Sequence, residues 1–101
     1  MRICSLNEIL DNSGVAALVR GEQVAVFRVG KNVYAIGNRD PFSGANVLSR
    51  GIVGDIKGEL VVASPVYKQH FSLLTGQCIE DPSVTVPVYR AQVEGADIQI
   101  L

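Results

Sequence analysis

The chain has 101 residues, 48% apolar and 19% charged, with nine Lys and Arg against ten Asp and Glu for a formal net charge of −1. That length suits one domain, 1–101, with a core that stands without metal or disulfide support. The composition excludes a disordered segment, the scattered cations exclude a nucleic-acid patch, and no apolar run nears the roughly 20 residues a membrane helix needs.

The first residues lack the sustained apolar stretch of a secretory signal. Ser5 with Glu8 three positions on is a capping-box pattern and predicts one short helical turn. Asp11-Asn12-Ser13-Gly14 is a turn cluster. Apolar runs at 15–19, 23–29 and 33–36, parted by Gly21-Glu22 and Gly30-Lys31-Asn32, predict an antiparallel meander. A long loop covers 37 to about 51. A brief strand at 52–53, a turn at 54–58 and a strand at 59–63 follow, then a second loop at 64–69. Residues 70–73 form a strand with Phe71 and Leu73 on one face. Thr75-Gly76 is a tight turn, 77–79 a short extended piece, and 80–83 a loop. Residues 84–86 and 88–93 continue as extended chain. Pro87 lacks a donor and belongs at an edge or bend. A turn at 94–97 leads to a last strand at 98–101.

Nine or ten short strands with no internal repeat predict an all-β sandwich or small barrel. Phe27, Tyr34, Phe71 and Tyr89 read as core. Cys4 and Cys78 lie far apart without Cys-x-x-Cys spacing and read as reduced, partly buried thiols of a cytoplasmic protein. A disulfide between them needs Cα atoms within about 7 Å.

The two loops carry the chemistry-bearing pattern. Asn38-Arg39-Asp40-Pro41-Phe42-Ser43-Gly44-Ala45 and Ser64-Pro65-Val66-Tyr67-Lys68-Gln69-His70-Phe71, with Leu73 and Thr75-Gly76 beyond, resemble the paired cluster loops of Rieske-type ferredoxin domains. Those read Cys-x-His-x-Gly-Ala and Cys-Pro-x-His-Gly-Trp-x-Phe-x-Leu-x-Thr-Gly. The resemblance runs almost end to end and implies a Rieske-like antiparallel β sandwich of small sheets, with two loops where a 2Fe–2S cluster would sit. A Rieske centre takes two Cys and two His. The resemblance puts Asp40, Phe42, Ser64 and Tyr67 at those four places and so implies no cluster in this chain.

Asp40-Pro41-Phe42, Val47-Leu48-Ser49-Arg50-Gly51 and Ala63-Ser64-Pro65 before Lys68-Gln69 narrow the resemblance to the small subunits of assimilatory NAD(P)H-dependent nitrite reductases. What that implies is a cytoplasmic partner of a large subunit carrying FAD, a 4Fe–4S cluster and sirohaem, which passes electrons from a nicotinamide cofactor to nitrite and yields ammonium. The small subunit supports it and has no catalytic residue of its own. The alternative is a Rieske-like redox carrier or interaction module of another oxidoreductase.

Other chemistries are weaker on the residues. Asp40, Ser64, Tyr67 and His70 make a poor metal set, because one carboxylate with two hydroxyls suits neither hard nor transition cations. A Ser64/His70/Asp40 triad lacks a nucleophile elbow and an oxyanion segment. Phe42 and Tyr67 can pack on each other to fill the cluster's space, or expose an apolar docking patch. Flanked by Arg39, Lys68, Gln69 and His70, they have the makeup of a partner interface with a polar rim.

Overall fold

The computed structural model describes residues 1–101 as ten strands in three antiparallel sheets. In chain order the strands are β1 (Arg2–Ser5), β2 (Ser13–Val19), β3 (Glu22–Val29), β4 (Asn32–Gly37), β5 (Ile52–Ile56), β6 (Glu59–Ala63), β7 (His70–Ser72), β8 (Val88–Tyr89), β9 (Ala91–Glu94) and β10 (Asp97–Ile100). The sheets run β1-β10-β9, β2-β3-β4-β8 and β5-β6-β7. No helix is long and apolar enough to cross a membrane.

The run Val24-Ala25-Val26-Phe27 explains the layering. All four are fully buried. Side chains alternate across a strand, so consecutive burial means that both faces are covered. Val24 and Val26 join Ile9, Val19, Ala35, Ile98 and Ile100 in one core. Ala25 and Phe27 join Ile36, Leu48, Val62 and Phe71 in the other. The β2-β3-β4-β8 sheet is therefore the middle layer, with an outer sheet on each side. Its partner on the second core, β5-β6-β7, carries the loops of interest.

Several boundaries differ from the sequence expectation. Residues 2–5 form a strand paired with β10 before the expected turn, which is the 3₁₀ segment Leu6–Glu8. Ser5 and Glu8 form the expected capping box, with Glu8 Oε1 accepting from the Ser5 amide at 3.1 Å, and Ser5 Oγ also donates to the Ala96 carbonyl. Strand β5 continues to Ile56. Only Lys57 and Gly58 turn, both at positive φ as a two-residue hairpin requires. The stretch 88–93 divides at Arg90: Val88–Tyr89 pairs with β4 and Ala91–Glu94 with β10. The chain thus crosses there from the middle sheet to an outer one. Residues 84–86 contribute a single bridge, Thr85 to Gln77. Phe27 and Phe71 are fully buried, but Tyr34 and Tyr89 are only half-buried and pack on opposite cores. A phenol wants one wet end.

Candidate functional site

Each loop is a closed ring with the same hydrogen bonds. In the first, the Asp40 amide donates to the Ala45 carbonyl at 2.9 Å and the Gly44 amide to the Asp40 carbonyl at 2.7 Å. The Phe42 amide donates to Asp40 Oδ1 at 2.8 Å. In the second, the Ser64 amide donates to the Gln69 carbonyl at 2.9 Å and the Lys68 amide to the Ser64 carbonyl at 3.1 Å. The Val66 amide donates to Ser64 Oγ at 3.3 Å. A third ring follows at once. There the Ser72 amide donates to the Gln77 carbonyl, the Gly76 amide to the Ser72 carbonyl, and the Leu74 amide to Ser72 Oγ. The fifth residue of each ring is left-handed: Gly44 at φ +77, Lys68 at +67, Gly76 at +74. Asp and Ser open such turns because their side-chain oxygens accept from the amide two residues on.

The two rings at the tip are joined. Ser64 Oγ donates to Asp40 Oδ2 at 2.5 Å, and both residues are fully buried. Asp40 is held in place from its other oxygen by the Phe42 amide. The stem of the first ring is fixed by buried Asn38, whose Oδ1 accepts from the Ser49 amide at 2.7 Å. Gly51 lies flush against β6, where an added Cβ would meet the Ala63 carbonyl at 2.3 Å.

Phe42 packs on Phe71, with ring centroids 6.2 Å apart and planes tilted by 46°. Packing on Tyr67 was one of the two arrangements open to Phe42. Phe71 is the nearer apolar surface because β7 brings it into the core directly beneath the loops. Tyr67 points to solvent, 59% exposed, as do Val66 at 44% and, in part, Phe42.

His70 opens β7 and is held by Glu80. Its amide donates to Glu80 Oε1 at 2.7 Å, and its Nδ1 lies 2.5 Å from Glu80 Oε2. Burial acts to raise the Glu80 carboxyl. The hydrogen bonds from the His70 amide and ring and from its own backbone outweigh that, and the group sits below the ordinary carboxylate range. His70 therefore has a partner outside the loops, and no Ser64/His70/Asp40 triad forms.

Of the residues expected at an interface, Arg39, Phe42, Tyr67 and Lys68 are exposed, while Gln69 and His70 are half-buried. Gln69 Oε1 is buried without a partner. The sequence reading missed Ile52, which is 75% exposed and sits opposite Ala63 at the base of the second ring. The register that puts it there has no local sequence signal. Glu80 was missed as well, since ten residues separate it from His70.

The donor set does not fit a Rieske cluster. That centre takes two imidazoles and two thiolates, and the chain has one His and two Cys. Both cysteines are free and neither lies in the tip loops: Cys4 is on β1, and Cys78 is buried in the core with Phe71. Burial pushes both thiols up, with Glu8 adding to the effect at Cys4. No three His, Cys, Asp or Glu side chains converge to hold a metal ion. Beside the first ring lies a cleft of about 530 Å³ with Arg39, Gln23 and Asn46 in its wall, and Glu22 is its one carboxylate. No nucleophile and base meet there.

The family model for the Rieske-like [2Fe-2S] domain matches residues 1–101. A "Nitrite reductase (NADH) small subunit" of Salmonella typhimurium is 48% identical over 97% of this chain and 93% of its own length. The solution structure of the Escherichia coli protein NirD superposes with a TM-score of 0.92 at 45% identity, covering 99% of this chain and 93% of that one. A "Nitrite reductase [NAD(P)H] large subunit" of Klebsiella oxytoca is 40% identical over 97% of this chain, which spans only 10% of that protein.

Proposed function

The chain belongs to the Rieske-like [2Fe-2S] domain family and, within it, to the nitrite reductase small subunits, and from that premise we propose that it serves a cytoplasmic NAD(P)H-dependent nitrite reductase as a cluster-free docking subunit. The observation that carries this is near-full-length identity to small subunits on both chains. The Klebsiella oxytoca large subunit supports it, because a domain like this one is part of the same polypeptide there. Two such parts joined in one chain have a high effective concentration for each other. A separate chain must reach the same arrangement through its surface.

In this reading the redox chemistry belongs to the large subunit, with its FAD, 4Fe–4S cluster and sirohaem, which reduces nitrite to ammonium. The present chain supplies a rigid surface. Its four ligand-equivalent positions, Asp40, Phe42, Ser64 and Tyr67, hold the two tip rings together and present side chains outward. Phe42 and Tyr67 form the centre of the contact with the large subunit, with Arg39, Lys68, Gln69 and His70 as its polar rim. The rival reading, a redox module of another oxidoreductase, requires thiolate and imidazole donors that the loops do not have.

The test is copurification of the tagged chain with its large subunit, followed by deletion of the gene. A flavin- and sirohaem-containing partner in the eluate, and loss of nitrite reduction in the deletion strain, are expected. A chain that purifies alone, from cells whose nitrite reduction survives its deletion, is not such a subunit.

A further inference from the structure

Exposed apolar side chains continue beyond the two tip rings. The antiparallel register sets Ile52 beside Ala63 and Ala63 beside His70. Directly opposed residues share a face of the sheet. The neighbouring row, Val53-Val62-Phe71, turns into the core, so the Ile52-Ala63-His70 row turns outward. Ile52 at 75% exposure is continuous through Ala63 with the second ring, where Val66 and Tyr67 are exposed. The apolar surface thus reaches from the second ring to Ile52 at the near end of β5-β6-β7, and stops at the next row, where Val61 and Ser72 are buried.

Its rim is positive. Arg39, Arg50 and Lys68 are exposed, and none has a carboxylate within ion-pairing distance, since the chain's two ion pairs are Arg2 with Asp97 and His70 with Glu80. Residues 38–53 and 63–70 contain one acid, Asp40, whose two oxygens are both engaged, and Glu80, which reaches the row from outside these segments, is paired with His70.

Lys68 points to the same use. The sister rings place glycine at the left-handed position, and this ring places lysine there at φ +67. That conformation costs a lysine and costs a glycine nothing. Asn12, Arg20 and Lys57 also have positive φ, but asparagine tolerates it and the other two are each followed by a glycine of positive φ in a hairpin turn, whereas Lys68 lies in a closed ring at the tip. Strain kept where a relaxed residue would fit marks a side chain with work to do.

We infer that Ile52, Val66 and Tyr67, rimmed by Arg39, Arg50 and Lys68, receive an apolar projection of the large subunit that is ringed by carboxylates. This rests on the reading above and adds to it Ile52 at the near end of the outer sheet and the acidic character of the partner.

The test is the affinity of the purified chain for its large subunit as a function of salt. Wild-type binding weakens as salt rises, because exposed charges are screened. Lys68→Gly relaxes the ring and keeps the fold, yet weakens association about fivefold at low salt, the worth of one exposed ion pair, and flattens the salt dependence. Ile52→Glu weakens it about tenfold or more. Leu10→Glu, at a side chain 80% exposed beside the Gly30 turn at the far end of β4, leaves binding unchanged. Absence of any wild-type complex defeats the nitrite reductase reading itself. A wild-type complex that Lys68→Gly and Ile52→Glu both leave intact defeats this inference alone.

Discussion

Ser64 and Asp40 meet side chain to side chain at 2.5 Å, each with no exposed surface, and this contact ties the two tip rings together. A buried hydrogen bond to a charged group is worth about 1.5–3 kcal/mol, and its loss leaves the surviving partner desolvated and unpaired. Ser64→Ala is expected to lower stability by that amount, read as a shift in urea midpoint at unchanged slope. Asp40→Ala costs more, because it also orphans the Phe42 amide. The double variant should fall short of the summed single losses by about 1 kcal/mol or more, as for groups in one network. Strictly additive losses would show that the contact does not couple the loops.

The opening meander was legible because short strands with turn residues between them read locally, and the two tip loops were legible through their resemblance to cluster loops; which of Phe42 and Tyr67 packs inward was not. The repetition of the ring was not. Its first residues are Asp40, Ser64 and Ser72, and its fifth are Gly44, Lys68 and Gly76. A small polar opener four positions before a glycine is a usable signal in the first and third. Lysine hides it in the second. The Phe42–Phe71 contact and the Glu80 anchor were illegible for a different reason: both depend on which strands pair, and register is a property of the folded sheet. The break at Arg90 is of the same kind, since 88–93 has one continuous pattern but serves two sheets.

The left-handed positions should respond oppositely to substitution. Gly76 has φ +74, and a Cβ there would lie 2.2 Å from the Val86 carbonyl oxygen. Gly76→Ala therefore meets both backbone strain and a backbone clash, and should cost about 2 kcal/mol or more. Lys68→Gly removes strain but adds freedom to the unfolded chain, and these nearly cancel, leaving stability within about 1 kcal/mol of wild type. Thermal or urea unfolding of the two variants compares them directly. A Lys68→Gly protein as damaged as Gly76→Ala would mean that the ring does not hold the left-handed conformation at that residue.

Purified protein given iron and sulfide under reducing, anaerobic conditions should develop no Rieske absorption, since a single histidine cannot supply the two imidazoles of that centre. The same sample offers a second readout. Cys78 is fully buried and its thiol is held above its ordinary range by burial, so a thiol reagent should reach it only after unfolding. Stoichiometric iron and sulfide retained with a Rieske spectrum would overturn the cluster-free assignment. Prompt labelling of Cys78 in the native protein would contradict its place in the core.

Glu80 makes the stability depend on acid. Its carboxylate accepts from both the amide and the ring of His70. Burial opposes ionisation, but these bonds prevail and the folded group titrates below its ordinary value of 4.5. A depressed folded value means that the unfolded chain binds the proton first as pH falls. The stabilisation is then fully present above about pH 4.5 and is lost on descending through the folded value. The Glu80 side chain is 46% exposed, so solvent screening holds the effect to under about 1 kcal/mol. Glu80→Gln keeps an acceptor for the His70 amide and abolishes the titration. Wild type should exceed this variant in urea midpoint at neutral pH, with the gap closing as the pH drops below about 4.5. A gap that stays constant into acid would show that the carboxylate charge adds nothing to the hold on β7.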